Sequence, residues 1–290
     1  MKWASGISEQ TSLASAVEEC TAQVRQQLGD ANPDLAVVFA STHYQQEFEA
    51  LPALVEEGLG PVLVLGCSGG GIIGNGQEVE QQPAVSITAA NLPDVELVAF
   101  HLEGEKLPDL DAGPDSWQES VRVTADQEPH FVLLADPLSF PAQNLLLGLD
   151  FAFPNSAKIG GLASGSQEHR QNALFLGNQV HSSGAVGVAL HGNIALDTVV
   201  AQGCRPIGKL MRITESRRNL LVGLDGQTPM AVLRDLFREL SERDRGLMRH
   251  SLFLGVVMDE FMEEPQQGDF LIRNVMGMDE QNGMLSIGET

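Results

Sequence analysis

Residues 62–76, VLVLGCSGGGIIGNG, join a short run of branched apolar side chains to a cysteine and a cluster of glycines. Three kinds of chemistry fit these residue types. Backbone N–H groups of the glycines could hold a phosphate, Cys67 could act as a nucleophile, or the bare backbone could contact a small ligand. The choice among them decides whether the chain is a nucleotide-binding protein, an enzyme or a receptor.

The glycine spacing is formally that of a dinucleotide-binding turn, because Gly69, Gly71 and Gly74 satisfy GxGxxG after a predicted strand. That turn needs a helix whose N-terminal amides meet the pyrophosphate. Residues 74–76, Gly-Asn-Gly, fall where the helix should run, and each interior glycine destabilises a helix by about 1 kcal/mol relative to alanine. No Gly-Lys-Ser/Thr follows, which excludes a Walker phosphate loop. The sequence therefore predicts no nucleotide cofactor.

Nucleophilic chemistry at Cys67 would need a base beside the thiol. The candidate histidines are scattered along the chain, and none stands in a recognisable Cys/His or Ser/His/Asp pattern: His43, His101, His169, His181 and His191. HExxH and HxxxH are also absent, so no metal site is predicted. We predict no catalytic residues, with a cysteine-dependent hydrolase or transferase using Cys67 as the alternative.

The remaining interpretation is a glycine-rich bend at the carboxyl end of a parallel strand, where ligands usually bind. The segment AKIGGLASG, residues 157–165, would supply a matching bend. Backbone amides would hold a carboxylate, the serines would donate hydrogen bonds and an arginine would neutralise the charge. A tight turn without a ligand, and an ordinary ion pair for the arginine, are the alternatives. The predicted ligand-binding residues are Gly66, Cys67, Ser68, Gly69, Gly70, Gly71, Gly161, Ser164 and Arg205.

The elements that position these residues repeat along the chain. A helix over 8–28 precedes a strand at 35–42, a helix at 51–60 and a strand at 61–66, which indicates parallel strands joined by a crossover helix. FVLLADP at 131–137 aligns with AVVFAST at 36–42, and two further strand candidates follow each glycine segment. We predict an α/β fold in which an internally duplicated strand-helix-strand-strand-strand unit forms mixed sheets, followed by a partial second α/β domain.

Composition restricts the partners. With 17 Lys and Arg against 39 Asp and Glu, the chain has a formal net charge of −22, which repels nucleic acids and anionic lipids. Three isolated cysteines, Cys20, Cys67 and Cys204, favour a reducing compartment. No secretory signal or apolar run of membrane-spanning length is present. We therefore expect a cytoplasmic protein with no nucleic-acid partner and no membrane insertion.

Several ordered segments resemble the FIST sensory domain family: VLVLGCSGGGIIGNGQEVE, KIGGLASG, SSGAVGVALHGNI, VAQGCRPIGKLMRIT and GDFLIRNVMGMDEQNGMLSIG. The resemblance implies a FIST N-terminal domain over 33–225 and a truncated FIST C-terminal domain over 226–290, after an N-terminal helical segment at 1–32. It also implies a sensor module in signal transduction that binds a small molecule such as an amino acid, with an unidentified protein signalling partner. A protein interaction scaffold working through the acidic surface is a further alternative.

Overall fold

The computed structural model of the chain describes residues 1–166, 168–199, 204–249, 251–258, 262, 265, 269–279 and 281–288. The chain divides into two compact units, Met1–Thr198 and Val199–Thr290. None of the helices in these described ranges has the length and apolar composition that a bilayer crossing would require.

The first unit alternates strands and helices before ending in strands. Its elements in chain order are β1 Lys2–Ser8, α1 Leu13–Leu28, β2 Leu35–Ser41, α2 Leu51–Leu59, β3 Leu63–Gly69, β4 Gly71–Gly74, β5 Gln77–Glu80, β6 Val85–Asn91, β7 Val95–Leu102, α3 Pro114–Val121, β8 His130–Ala135, α4 Ala142–Ala152, β9 Lys158–Leu162, β10 Leu174–Leu176, β11 Gln179–His181 and β12 Ala185–Gly192. A 3-10 helix, Thr42–Ala50, leads into α2.

Two sheets of matching topology carry the duplication. The first has the strand order β1-β6-β2-β3-β10-β11, and the second has the order β7-β12-β8-β9. In both, the third and fourth strands pair in parallel through a crossover helix, whereas the other pairs among the first four strands are antiparallel. The hairpin β10–β11 lies between β9 and β12 of the second copy in sequence, yet β10 pairs with β3 of the first copy. This exchange extends the first sheet to six strands.

The two sheets pack face to face with helices on their outer sides. One apolar cluster joins α1 and α2 to the outer face of the first sheet, and another joins α3 and α4 to the outer face of the second. A third cluster lies between the sheets and draws on both, with Leu65 and Leu174 meeting Leu134 and Val188. The first unit is therefore a four-layer helix-sheet-sheet-helix sandwich.

The mixed α/β fold class is confirmed, and the repeated unit is larger than the sequence pattern indicates. Each copy begins with an additional strand and helix, β1 with α1 in the first and β7 with α3 in the second. The N-terminal segment 1–32 therefore contains a strand as well as a helix. The sequence KWASGIS does not read as a strand because it contains small residues in place of branched apolar ones. These small residues let α1 pack closely: a Cβ at Gly6 would lie 2.7 Å from the Cys20 carbonyl oxygen.

The second unit contains one five-stranded sheet. Its elements in chain order are β13 Ile213–Arg217, β14 Leu220–Leu224, α5 Pro229–Glu239, α6 Glu242–Met248, β15 Phe253–Val257, β16 Phe270–Asp279 and β17 Met284–Ile287. The strand order is β13-β14-β17-β16-β15. Thr228 caps α5 by accepting a hydrogen bond from the Ala231 amide, as its position before Pro229 predicts. The buried core of the second unit contains Leu221, Leu285 and Ile287.

Candidate functional site

The two glycine segments meet in the first unit. The Gly70 amide donates to Ser164 Oγ over 3.2 Å, and the Ser164 amide donates to the Ser68 carbonyl oxygen over 3.3 Å. The strands align so that β3 corresponds to β9, which makes Gly70 and Ser164 equivalent positions of the two copies. The bends at the carboxyl ends of β3 and β9 therefore touch each other.

A cavity of about 340 Å³ lies between the sheets beside this contact. Its residues come from the ends of β2, β3, β8 and β9 and from the bends after β3 and β9: Val37, Phe39, Cys67, Ser68, Gly69, Gly71, Val132, Leu134, Ile159, Gly160, Gly161, Leu162 and Ser164. Its walls are mostly apolar. Among these lining residues Cys67 is the one with a titratable side chain, so the polar contacts available to a ligand come from the backbone and from serine.

The glycines of β3 and β9 have different roles. A Cβ at Gly66 would overlap the Val38 carbonyl oxygen, and one at the equivalent Gly160 would overlap the Leu133 carbonyl oxygen. Both glycines therefore allow neighbouring strands to approach. Gly161, in contrast, has no heavy atom within 4 Å of its Cβ position, and this position lies over the cavity. The missing side chain at Gly161 is thus what leaves the space open.

Backbone direction in β9 determines which amides a ligand can reach. The Phe131 amide donates to the Ala157 carbonyl oxygen, and the Ala163 amide donates to the Ala135 carbonyl oxygen. Because residues in a parallel ladder alternate in direction, the amide of Gly161 also points to β8. The N–H groups of Gly160 and Leu162 point the opposite way, along the open edge of the sheet. Gly161 therefore contributes space to the candidate site and no free amide, whereas the N–H groups of its two neighbours lie on the open edge of the sheet.

The two serines of the predicted site differ in availability. Ser68 is fully buried, and its hydroxyl accepts from the Ala173 amide over 3.0 Å and lies 3.5 Å from Asn172 Oδ1. Ser164 is exposed and lines the cavity, and its Oγ accepts from the Gly70 amide. A hydroxyl that accepts a hydrogen bond still has its own hydrogen to donate. The Ser164 hydroxyl can therefore donate a hydrogen bond to a ligand, whereas Ser68 holds the end of β3 in place.

Cys67 is in a poor environment for a nucleophile. Its side chain is 4% exposed between β2 and β10, opposite Phe39 and Leu174. Burial raises the pKa of the Cys67 thiol to about 12 from an ordinary value of 9.0, so the thiolate is disfavoured. This environment is the reverse of the electropositive, partly exposed setting that activates a catalytic cysteine.

We expect Cys67 to resist alkylation in the folded chain. At pH 8 the raised pKa lowers its thiolate fraction by about a thousandfold relative to an ordinary cysteine, and burial blocks the reagent as well. Labelling with iodoacetamide, followed by mass spectrometry of the Cys67 peptide, should be at least about 100-fold slower in buffer than in denaturing urea. Equal labelling rates in the two conditions would support the cysteine-enzyme alternative.

Arg205 lies in the second unit, where its guanidinium pairs with Asp244 at 2.5 Å. The side chain is largely exposed, so this pair contributes little to stability. The ordinary ion pair that the sequence left open is therefore present. The described residues contain no group of three or more His, Cys, Asp or Glu side chains arranged for a metal ion.

The sequence located the two glycine bends after β3 and β9, called the glycine corners below, but it did not identify the apolar residues that line the cavity. Val37 and Phe39 of β2 face Val132 and Leu134 of β8 across the cavity. In the structure they alternate with Val38 and Leu133, which face the outer clusters, but the strand sequences are uniformly apolar. A strand that is covered on both faces gives no sequence pattern that distinguishes the inner face, so the cavity walls could not be assigned from the sequence.

The fold and the cavity define a duplicated α/β sandwich with an internal space large enough for a small molecule. Residues 34–227 match the FIST N domain, and the chain belongs to the FIST family, whose members are generally sensory domains of signal transduction. The chain is 32% identical over 284 residues to the uncharacterized protein Rv0628c of Mycobacterium tuberculosis, covering 98% of this chain and 72% of the relative. It is 31% identical over 285 residues to the uncharacterized protein Mb0898c of Mycobacterium bovis, with the same coverage. The FIST C-terminal assignment of 226–290 stays a prediction.

Proposed function

We propose that this chain is a sensor module that binds one small molecule, such as an amino acid or a short carboxylic acid, in the cavity between the two sheets. The observation that supports the proposal most directly is the cavity itself, about 340 Å³ in volume and bounded by both glycine corners. That volume is at the lower end of the range for small-molecule sites, which favours a ligand of few atoms. The cytoplasm is the compartment we propose for it.

The chemistry of the cavity restricts the ligand within this class. Val37, Phe39, Val132 and Leu134 offer apolar contact to a branched or aromatic group. The Ser164 hydroxyl and nearby backbone groups are the donors for a single polar end. We therefore propose that apolar amino acids and branched short carboxylic acids bind more tightly than aspartate, glutamate or lysine, whose side-chain charges would be buried without a partner.

The proposed site consists of Cys67, Gly69, Gly71, Gly161 and Ser164, with Gly66, Ser68 and Gly70 setting the shape of the bends. Arg205 is left out of it because Asp244 already neutralises its charge. Transmission of the binding signal to a protein partner belongs to the same proposal, since sensory domains act through other domains or proteins.

Gly161→Leu is expected to weaken ligand binding at least tenfold, because the added side chain would fill the open space above the cavity. Isothermal titration calorimetry with leucine, valine, phenylalanine, isobutyrate and glutamate measures the effect. Gly113→Leu is the matched control: Gly113 is exposed, has open space at its Cβ position and is not among the cavity residues.

The result has clear alternatives. Equal binding by the wild-type chain and Gly161→Leu would place the ligand elsewhere. No heat of binding with any of the five compounds would argue against a site for small carboxylates. Equal losses in Gly161→Leu and Gly113→Leu would indicate a general effect on folding, which circular dichroism of both variants would detect.

A further inference from the structure

The edge strand β9 lacks a neighbour that its counterpart possesses. In the first sheet β3 is flanked by β2 and β10, whereas in the second sheet β9 has β8 on one side and no strand on the other within the described residues. The register pairs Val38 with Gly66 and Leu133 with Gly160, so Gly66 and Gly160 occupy the same position in the two copies. The duplication thus contains one strand position that is filled at β3 and open at β9.

The filled position shows what such a strand contributes. The Ser68 amide donates to the Ala173 carbonyl oxygen over 2.9 Å, and the Gly177 amide donates to the Val64 carbonyl oxygen over 2.8 Å. Phe175 lies opposite Gly66, with its ring 3.2 Å from the Cβ position of that glycine, and packs against Phe48 with ring centroids 5.5 Å apart. An antiparallel strand can therefore place a large aromatic residue opposite the glycine at this strand position.

At β9 the same groups are present without a partner strand. The backbone N–H and C=O groups of Gly160 and Leu162, which correspond to Gly66 and Ser68, point away from β8. Gly160 is exposed, and the Leu162 side chain is 54% exposed. The β9 edge therefore offers a row of hydrogen-bonding groups beside an apolar side chain, which is the arrangement that recruits an added strand.

The outer edge of β1, in the same unit, has its backbone hydrogen-bonding groups occupied by side chains, in contrast to the edge of β9. On β1, the Gln23 side-chain amide both accepts from the Ile7 amide and donates to the Ile7 carbonyl oxygen. The Gln27 side-chain amide does the same for Ser5. Two glutamines of α1 thus occupy the outward backbone groups of β1 as a neighbouring strand would, and β1 cannot recruit a further strand there.

We propose that β9 is the docking edge for an extended segment of a partner protein, which adds to the second sheet as an antiparallel strand. By analogy with Phe175 over Gly66, the segment carries a large apolar or aromatic residue opposite Gly160. Because this chain has a net charge of −22, a segment with flanking basic residues associates fastest. This surface is on the outer edge of the sheet, so its role goes beyond binding of a small molecule between the sheets.

The probe for this proposal is a peptide copy of β10, the strand that fills the equivalent position beside β3. A synthetic peptide with residues 172–178, NALFLGN, between two pairs of lysines tests the full chain directly. Bound peptide is expected to slow hydrogen exchange at the amides of Gly160 and Leu162 at least tenfold. The Gly161 amide, already directed at β8, should change far less, and this alternation distinguishes strand addition from general burial.

Leu162→Pro is expected to weaken peptide binding at least tenfold, measured by fluorescence anisotropy, because proline removes one outward N–H. The fold should be retained, since that N–H makes no bond within the sheet. Leu162→Ala is the matched control, as it removes the side chain and keeps the donor, and it should bind more tightly than the proline variant.

Four outcomes would overturn the proposal: no peptide binding at millimolar concentration, equal binding to Leu162→Pro and Leu162→Ala, protection without alternation along β9, or dimerisation of the free chain through β9. The last outcome, seen by sedimentation as a dimer that Leu162→Pro dissociates, would assign the edge to a second copy. Neither Leu162 variant fills the cavity in the way Gly161→Leu does, so failure here and failure of the small-ligand proposal can be told apart.

Discussion

Gly66→Ala is expected to lower the free energy of unfolding by about 3 kcal/mol or more, the upper range for adding a methyl group to a packed interior. Gly66 lies in β3 between β2 and β10, and its Cβ would overlap the Val38 carbonyl oxygen. A backbone carbonyl in the middle of a sheet cannot move aside without breaking hydrogen bonds. The Phe175 ring, 3.2 Å from the same Cβ position, would have to shift as well.

Urea denaturation followed by circular dichroism measures this loss. Gly161→Ala is the matched control, since it makes the same substitution in the equivalent strand of the second copy and meets open space. We expect the control to change stability by less than about 1 kcal/mol, because alanine there only restricts the unfolded chain. Equal stability of the two variants would show that β2 and β3 are not in the register described above.

Asn172→Ala is the second substitution with a large expected effect, a loss of about 3 kcal/mol in the free energy of unfolding, because it leaves the buried Asp136 carboxyl group without one of its hydrogen-bond donors. Asn172 donates to Asp136 Oδ1 over 2.9 Å and to the Ser166 carbonyl oxygen over 3.1 Å, and it accepts from the Ser166 amide over 2.8 Å. Asp136 is 1% exposed, and Ser139 donates to its other oxygen. Alanine at 172 would remove the donor to Oδ1.

This network also connects the proposed site to the stability of the fold. Ser68 at the end of β3 contacts Asn172, and Asn172 contacts Asp136 just after β8, so the network links the strand ends beside the cavity. We therefore expect Asn172→Ala to loosen both glycine corners. A double-mutant cycle with Asp136→Ala measures the coupling: the loss caused by Asn172→Ala should shrink once the carboxylate is absent. Additive losses would mean that the Asp136–Asn172 bond contributes little.

The sequence determined the α/β class, the duplication and the two glycine corners. These features arise from local patterns: a buried strand, a helix and a second strand within 35–66, and a similar series within 131–165. Parallel strands joined by a crossover must end at the same edge of a sheet, which places both bends there. The residues Gly74, Asn75 and Gly76 likewise excluded a phosphate-binding helix, and that segment forms the hairpin β4–β5.

Tertiary structure alone decided which groups are available at the site. The bond between Ser68 and Ala173 joins residues 105 positions apart, and the pairing of β10 with β3 crosses from one copy to the other. The local sequence of β10 does not indicate which strand it pairs with, because a short apolar strand can pair with any edge of suitable register. The same long-range pairing makes Ser68 structural and buries Cys67. The edge of β9 is open because the hairpin β10–β11, which follows β9 in sequence, pairs with β3 instead.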